Sequence, residues 1–329
     1  MNKQIRWGIL GTGRIAKAFA EGLKYTLNGQ LNAIGSRSIE SAQNFADEFN
    51  IPTTCGSYDE LAEHPSIDAI YIATPHTEHM KNAILCMENG KAVLCEKPLA
   101  VNAKQVEQMI QKSKEKNVLL MEGMWSRFPP LMEKIRDILS KNEIGEIRTI
   151  HADFGFRPKS MDPHGRLFNP NLAGGSLLDV GIYPVSFSFM INGEPDSFVT
   201  DWTCGNTGVD EQASMIFKYS NGSMALLHSS IQSDTGQEAF ISGTDGSIRI
   251  HQQCWKPQVM TQTDWKTGVI KKIECPFVGN GFNYEAEHFG QLFIEGKKES
   301  SIMPLKESMS IVTTLDRIRQ KWQLRYPFE

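Results

Sequence analysis

Short apolar runs alternate with longer amphipathic stretches over about the first 122 residues of the chain. The runs contain no regular polar positions, which is typical of strands buried on both faces of a sheet. The stretches between them carry apolar residues at helical spacing and end at signals such as Asn89-Gly90. This alternation predicts a doubly wound, mostly parallel sheet, and hence an α/β fold. The predicted strands are Ile5–Leu10, Leu31–Gly35, Ala69–Ala73, Ala92–Cys95 and Val118–Met121, and the predicted helices cover about 14–23, 39–49, 79–89 and 102–117.

The pattern changes in the second half, where many segments alternate apolar and polar positions. Asn221-Gly222 and Asp245-Gly246 are hairpin turn signals between such segments. They predict a mostly antiparallel, open sheet with helices on one side, which makes the second half α+β. Phe156–Gly175 is long, irregular and rich in proline and glycine, so it is either functional or mobile. The predicted strands are about 146–154, 197–202, 213–219, 223–229, 239–242 and 247–251, and the predicted helices 129–140, 176–190 with a kink or restart at Pro184, 283–294 and 305–322.

Composition narrows the possible classes of protein. A length of 329 residues fits two domains, and 40% hydrophobic with 22% charged residues fits two ordinary cores. The net charge is -4 without any block of like charge, so nothing favours nucleic acid or a membrane surface as a partner. The sequence predicts no signal peptide at the first residues and no apolar run that approaches the length needed to span a bilayer. The six cysteines are scattered without a Cys-x-x-Cys pair, which favours reduced thiols and a cytoplasmic location over disulfides or a zinc site.

A glycine-rich turn follows the first predicted strand. Gly11-Thr12-Gly13-Arg14-Ile15-Ala16 has the Gly-x-Gly-x-x-Ala form of a dinucleotide-binding fingerprint. Gly11 permits the tight turn, Gly13 lets the backbone approach a pyrophosphate, and the helix N-terminus favours its charge. Such a motif alone is as often a structural turn, but its place between a strand and a helix favours the functional interpretation. We therefore predict a dinucleotide-binding Rossmann domain at 1–122 and a substrate-binding and oligomerisation domain at 123–329.

Two further stretches concern the choice of cofactor and the chemistry. Ser36-Arg37 ends the second strand, where an acidic residue would bind a free ribose 2′-hydroxyl. An arginine there accommodates a 2′-phosphate, so we predict NADP(H) over NAD(H), although a solvated loop arginine remains the alternative. Glu96-Lys97-Pro98 ends another strand, at the sheet edge where ligands bind. A lysine at that edge is a candidate catalytic group, whereas a lone lysine elsewhere is usually a surface charge.

Taken together, these motifs resemble those of the Gfo/Idh/MocA oxidoreductase family over essentially the whole chain. The resemblance rests on the glycine-rich turn, Ala73-Thr74-Pro75 with His79, Glu96-Lys97-Pro98, and the run from Gly174 to Tyr183. Glu122-Gly123-Met124-Trp125-Ser126-Arg127-Phe128 further resembles the branch of dimeric dihydrodiol dehydrogenases and NADP-dependent xylose dehydrogenases. Many members of the wider family carry histidine where Tyr183 stands, so the chain is similar to the tyrosine-bearing members.

The resemblance implies hydride transfer between nicotinamide and a carbinol or carbonyl carbon of a sugar, polyol or related small hydroxylated compound. It implies that Lys97 and Tyr183 form the catalytic pair and that Asp179 supports them. It also implies a homodimer through the exposed face of the antiparallel sheet. The predicted cofactor-binding residues are Gly11, Thr12, Gly13, Arg14, Ile15, Ser36, Arg37, Thr74, Pro75, His76, His79, Glu96 and Lys97.

The residue types fit this chemistry. A free tyrosine has a pKa of about 10, so Tyr183 can donate a proton at neutral pH, and a nearby lysine cation would favour its phenolate. Asp179 and Tyr183 are four residues apart and share a face if that turn is helical. Asp179 then either orients Lys97 or binds a substrate hydroxyl. His164, on the long irregular segment, is the next candidate proton donor.

The substrate contacts and the class of function stay more open. Arginines and aromatic residues that flank or belong to the long segment are candidates for contact with substrate. The alternatives are that the arginines are solvated and that the aromatic residues pack in the core. The predicted substrate residues are Trp125, Arg127, Phe156 and Arg166. His76 and His79 share a loop, but no cysteine or acidic cluster completes a metal site, so we predict no metal. A nucleotide-sensing protein of the same fold, or a redox-neutral enzyme with tightly held cofactor, are the alternatives to a dehydrogenase.

Overall fold

The computed structural model describes residues 4–329, which form two compact units. The first unit contains the described residues up to Phe128 together with Val278–Val312. The second unit contains Pro129–Phe277 and Thr313–Glu329. This division differs from the predicted contiguous one at 122, because a later segment of the chain returns to the first unit. A helical pattern in a sequence carries no information on which sheet the helix packs against.

The first unit contains a parallel sheet of six strands within the described residues, in the order β3-β2-β1-β4-β5-β6. This is the strand order of a dinucleotide-binding Rossmann domain, which confirms the predicted fold of the first half. The short pair β3 and α3 was not predicted. The strands are β1 Ile5–Leu10, β2 Gly29–Gly35, β3 Thr53–Cys55, β4 Ala69–Ile72, β5 Ala92–Glu96 and β6 Leu120–Gly123, and the helices of this part are α1 Arg14–Leu23, α2 Ile39–Phe49, α3 Tyr58–Glu63, α4 His79–Glu88 and α5 Ala103–Lys116.

Large aromatic side chains fill the core on one side of this sheet. Trp7 of β1 is fully buried, with its ring edge-on to Phe19 at 5.3 Å and tilted against Phe289 at 5.0 Å. Phe19 also stacks on Tyr71 of β4, with ring centroids 3.6 Å apart. Phe289 belongs to the returning segment, which therefore covers the sheet on this side. This packing joins β1, β4, the helix after β1 and the returning segment in one core.

The second unit contains an eight-stranded sheet among the residues described, in the order β14-β13-β12-β11-β7-β10-β9-β8. β7 and β10 are its one parallel pair, and the other neighbours are antiparallel. The predicted α+β fold is thus confirmed, and both predicted hairpins are formed. The last two strands, β13 and the edge strand β14, were not predicted. The elements are α6 Pro130–Ser140, β7 Thr149–Gly155, α7 Ile182–Asn192, β8 Ser197–Cys204, β9 Asp210–Lys218, β10 Met224–Ser230, β11 Ala239–Ser242, β12 Gly246–Ile250, β13 Val259–Asp264, β14 Ile270–Glu274, α8 Phe282–Ile294 (first unit) and α9 Leu305–Lys321, which is divided between the units.

A turn of π-helix, Leu177–Gly181, leads directly into α7. The sequence predicts one helix over 176–190 with a break at Pro184. The irregularity lies just before Ile182, and Pro184 itself lies within the first turn of α7. A proline has no N–H for the carbonyl four residues earlier, which here belongs to Val180 of the π-turn, so the irregularity falls where Pro184 is expected to disturb the helix. Single π-turns of this kind occur frequently at functional sites.

One stretch of the described residues, Pro170–Asn192, is apolar and long enough to cross a membrane by composition alone, with a mean hydropathy of 1.2. The expectation that no run approaches that length was therefore wrong. Of its most apolar window, 83% is buried inside the protein. Burial of this extent is what a helix packed in a protein core shows.

Candidate active site

The glycine-rich turn has the geometry expected of a phosphate cradle. Gly11 has a φ of +104°, and a Cβ there would lie 3.0 Å from the Ala73 carbonyl oxygen. A Cβ on Gly13 would meet nothing within 4 Å, so the space beside this residue is open. The N-terminus of α1 has no side-chain cap and no acidic residue in its first turn. Its free N–H groups thus fit the pyrophosphate of a dinucleotide.

The remaining members of this turn lie around that open space. Gly13 and Arg14 are exposed, whereas Thr12 and Ile15 are half-buried. Ala16 is fully buried, as a residue between helix and strand must be. The turn is therefore accessible to a ligand along its outer side.

The end of β2 places a cation beside a tyrosine. Ser36 is buried, and its hydroxyl accepts a hydrogen bond from the backbone N–H of Ser38 at 3.3 Å. Arg37 is exposed, and its guanidinium interacts with the hydroxyl of Tyr58. Burial raises the pKa of Tyr58, and the charge of Arg37 opposes that rise. Arg37 thus has a neighbour that orients it, and sequence reasoning missed Tyr58 because it did not predict α3.

The loop after β4 is fixed by a buried imidazole. His79 Nδ1 lies 2.8 Å from the Pro98 carbonyl oxygen, and Nε2 lies 3.0 Å from that of Thr74. Burial lowers the pKa of His79. The side chain of Thr74 accepts a hydrogen bond from Asn82 at 3.1 Å. His79 is completely buried and links two loops of the cradle through these contacts. Its place among the cofactor-binding residues stays a prediction.

The neighbouring positions of this loop are more open. Pro75 is exposed, and His76 is half-buried with its ring 5.7 Å from that of His79. Across residues 4–329, no three His, Cys, Asp or Glu side chains are grouped closely enough to hold a metal ion.

Lys97 is a buried lysine at the end of β5. Only 9% of it is exposed, so the interpretation as a surface charge does not apply. The adjacent Glu96 is also buried, and its carboxylate accepts hydrogen bonds from the Tyr71 hydroxyl and, at 3.2 Å, from the backbone N–H of Lys97. These contacts fix the backbone from which the lysine side chain extends.

Helix α8 contributes a second buried carboxyl that sequence reasoning missed. Glu285 is fully buried, and burial followed by repulsion from Glu96 raises its pKa well above the usual value. Neither of its carboxyl oxygens has a hydrogen-bond partner among the described residues. Its spacing from Phe282 and Phe289 places it on the apolar face of the helix, which is the signal that reveals it.

Two of the predicted substrate residues are packed inside the first unit. The ring of Trp125 is stacked on Phe282, with ring centroids 4.8 Å apart. Arg127 is 2% exposed and forms an ion pair with Glu307. The Arg127 charge lies close to Glu122, whose pKa burial raises to about 7. The structure thus gives Arg127 a partner in the core of the first unit, and its contact with substrate stays a prediction.

The second unit brings Asp179 and Arg166 together. Arg166 Nη1 donates a hydrogen bond to Asp179 Oδ1 at 2.6 Å. Asp179 lies on the π-turn with 9% of its side chain exposed, whereas 51% of the Arg166 side chain is exposed. The long segment after β7 is therefore tied to the π-turn by an ion pair that spacing in the sequence did not reveal.

Aromatic residues surround Tyr183 in the same unit. The Tyr183 ring is half-buried against Phe154, with centroids 5.4 Å apart. Phe154 stacks on Trp255 at 3.7 Å and is tilted towards Phe156 at 6.4 Å. His164 is exposed. Nothing in the sequence marked Trp255, which belongs to an irregular loop.

The structure thus forms two parts of the predicted site. The first unit holds the glycine-rich turn, Arg37 and Lys97. The second unit holds Asp179 and Tyr183.

Two family models match the chain. One, described as an oxidoreductase family with an NAD-binding Rossmann fold, matches residues 5–124. The other, described as the GFO/IDH/MocA C-terminal domain, matches residues 132–249.

Curated relatives match over nearly the whole chain. Trans-1,2-dihydrobenzene-1,2-diol dehydrogenase of Xenopus tropicalis is 39% identical over 98% of this chain and 99% of its own length. The human protein of the same name is 34% identical over 98% of both chains.

Solved structures share the fold. An aldose-aldose oxidoreductase from Caulobacter crescentus, complexed with glycerol, has a TM-score of 0.88 at 22% identity and covers 98% of both chains. The 3-ketoreductase KijD10 from Actinomadura kijaniata, in complex with TDP-benzene and NADP, has a TM-score of 0.86 at 24% identity over 97% of this chain and 98% of its own. The resemblance drawn from the motifs is confirmed: the chain belongs to the Gfo/Idh/MocA oxidoreductase family.

Proposed function

We propose that this protein is an NADP(H)-dependent oxidoreductase that transfers a hydride between nicotinamide and a carbinol or carbonyl carbon of a small cyclic diol, sugar or polyol. The observation that carries the proposal is the open, uncapped cradle at Gly11 and Gly13 in the same unit as a buried lysine, Lys97. A protein that only sensed a nucleotide would need the cradle but not the lysine. Full-length similarity to proteins named dihydrodiol dehydrogenases supports the choice of substrate class.

The proposed roles follow from the residue chemistry. When bound, the cofactor supplies the hydride that reduces a carbonyl carbon. Tyr183 donates its hydroxyl proton to the carbonyl oxygen, and in oxidation its phenolate accepts the proton of the alcohol. We assign Lys97 to tuning the acidity of Tyr183 and binding the same oxygen, because a cation favours the phenolate. Asp179 is held by Arg166, so we assign it to positioning.

An activity assay with defined compounds tests the function. Purified protein is mixed with NADP⁺ and either trans-1,2-dihydrobenzene-1,2-diol or D-xylose, and the nicotinamide absorbance is followed. We expect formation of NADPH that depends on one of these substrates. Tight binding of NADP⁺ without turnover of any diol or sugar would instead favour a sensor, and cofactor that copurifies without exchange would favour a redox-neutral enzyme.

We also propose that Arg37 selects NADPH over NADH. Charge-assisted hydrogen bonds to a 2′-phosphate are worth about 1.5–3 kcal/mol. The Arg37→Ala variant is therefore expected to bind NADPH about 10- to 150-fold more weakly, with NADH affinity nearly unchanged. Titration of both cofactors into the free protein measures this.

Arg14→Ala is the matched control for that measurement. Arg14 is an exposed cation at the start of α1, beside the pyrophosphate cradle. Its removal should weaken both cofactors alike, since both contain a pyrophosphate. Equal NADPH and NADH affinities in the wild type, or an unchanged preference in Arg37→Ala, would refute the assignment.

The outer face of the second unit's sheet supports a homodimer. Paired positions on neighbouring strands place Val199, Ile216, Leu226, His151 and Phe240 in one row across the sheet. Val199 is 54% exposed and Leu226 is 40% exposed. An antiparallel sheet with apolar residues on its open face needs a cover, and we propose that a second copy of the chain supplies it.

We expect light scattering to give twice the monomer mass of 36.9 kDa. Leu226→Asp would place a charge in the centre of the row and should shift the protein to monomer. Leu27→Asp, at an 81% exposed position of the first unit, is the control that should leave the mass unchanged. A wild type that stays monomeric at micromolar concentration would contradict the proposal.

A further inference from the structure

A tight turn at Gly174–Leu177 begins the segment that carries Asp179 and Tyr183. Its residues are buried, and Gly175 has a φ of +122°. A Cβ on Gly175 would lie 2.1 Å from Asp210 Oδ1, which is closer than two nonbonded atoms can approach. The turn is therefore packed directly against the carboxyl group of Asp210.

Asp210 holds the start of the helical segment. This first residue of β9 is fully buried. Its Oδ2 accepts hydrogen bonds from the Leu177 backbone N–H at 2.6 Å and from the Ser176 hydroxyl at 2.9 Å. Ser176 itself does not cap the segment with its side chain. A carboxyl group from another strand thus takes the place of an N-cap side chain.

Tyr326 holds the same turn from a different part of the chain. Its hydroxyl donates a hydrogen bond to the Gly174 carbonyl oxygen at 3.0 Å, and its ring lies under the Arg319 guanidinium at 4.8 Å. Arg319 is fixed in turn by Asp316 at 2.7 Å and by the Glu329 side chain at 2.7 Å. The tyrosine is therefore part of a rigid ion-paired cluster.

We propose that Asp210 and Tyr326 are positioning residues of the active site, which hold the Gly174–Leu177 turn and thereby direct Asp179 and Tyr183. The proposal deepens the proposed function and rests on it wherever Tyr183 is treated as the proton donor. The π-turn between the anchored start and α7 explains why anchoring matters, since its geometry is less regular than that of an α-helix. A displacement of a reacting group by about 1 Å can cost 10²-fold in rate.

Tyr326→Phe is the main variant, and Tyr219→Phe is its matched control. Both remove one buried tyrosine hydroxyl from the second unit, and the Tyr219 hydroxyl lies 2.6 Å from Ser188 Oγ on α7. Only the Tyr326 hydroxyl contacts the turn. We expect Tyr326→Phe to lower kcat roughly tenfold or more while the dissociation constant for NADP⁺ changes little, and Tyr219→Phe to leave both nearly unchanged.

Deuterium exchange of the amides of residues 174–183 gives a second readout that does not need turnover. It should rise in Tyr326→Phe and not in Tyr219→Phe. Asp210→Asn keeps the shape of the side chain but replaces one of its two oxygen acceptors by an NH₂ donor, so it should show the same two effects if it folds. If Asp210→Asn does not give stable protein, the kcat and exchange measurements on Tyr326→Phe decide the inference.

Equal effects of Tyr326→Phe and Tyr219→Phe on kcat, or unchanged exchange over 174–183 in Tyr326→Phe, would overturn the inference. Absence of activity in the wild type together with raised exchange in Tyr326→Phe would count against the proposed function and leave the anchoring role supported. Activity in the wild type, with unchanged kcat and unchanged exchange in Tyr326→Phe, would support the proposed function and count against the anchoring role.

Discussion

Replacement of Tyr183 by phenylalanine is expected to lower kcat by about 10²–10⁴-fold, the usual contribution of general acid catalysis. Phenylalanine keeps the ring that packs against Phe154 at 5.4 Å, so the fold of the second unit should be preserved. The variant loses only the hydroxyl group, and with it the proton to be donated. Because Gly11, Gly13 and Arg37 lie in the first unit, the dissociation constant for NADP⁺ should barely change.

Steady-state kinetics with the substrate found for the wild type measure kcat. Titration with NADP⁺ measures the dissociation constant, and thermal unfolding shows whether the fold is preserved. Tyr219→Phe again serves as the control for loss of a buried hydroxyl in the same unit. Turnover of Tyr183→Phe within about threefold of the wild type, below the range of general acid catalysis, would show that another group carries the proton. The exposed His164 would then be the next residue to replace.

The sequence contains enough information for most of the fold because the central elements have strong local patterns. β1, β4 and β5 are predominantly apolar runs, and α2 is preceded by Ser38, whose hydroxyl accepts a hydrogen bond from the Ser41 N–H at 3.3 Å as an N-cap should. The elements that were missed lack such patterns. β3 has three residues, and β14 is an edge strand that reads Ile-Lys-Lys-Ile-Glu, so neither shows a run or an alternation.

The residues of the candidate site likewise differ in whether a local sequence pattern reveals them. Gly11 and Lys97 were found because a local motif requires a particular residue at a particular spacing. The partners of these groups come from distant parts of the chain, and tertiary packing alone brings them close. Glu285 lies far along the chain from Glu96, and Asp210 far from Leu177, and no spacing rule connects such pairs. A buried acid on the apolar face of a helix is the one feature of this kind that inspection of a sequence can flag.

Glu285 makes the first unit sensitive to pH. Its folded-state pKa is raised, first by burial and then by Glu96, so the folded protein keeps a proton that the unfolded chain releases above about pH 4.3. Between the unfolded and folded pKa values the folded state binds more protons, so stability falls as pH rises. A single such group removes about 1.4 kcal/mol from the free energy of unfolding per pH unit.

Glu285→Gln removes this titration while it keeps a side chain of nearly the same size. The amide also stays buried without a partner, so the melting temperatures of variant and wild type should be similar near pH 4.5. As pH rises, the variant should become the more stable protein, by about 3–6 °C for each pH unit over which the wild-type carboxyl remains protonated in the fold. Thermal unfolding at a series of pH values from about 4.5 to 8 measures the difference.

The matched control is Glu287→Gln, which makes the same chemical change two residues further along α8. Glu287 is half-buried, and its carboxylate accepts a hydrogen bond from the Leu27 N–H at 3.3 Å. Of the two variants, only Glu285→Gln is expected to gain stability as pH rises, because only that carboxyl is fully buried without a hydrogen-bond partner. A pH-independent difference for Glu285→Gln, or a gap that closes as pH rises, would show that Glu285 is ionised in the folded protein. In that case a cation or donor must reach the carboxyl of Glu285, and Glu285 would hold no proton beside Glu96.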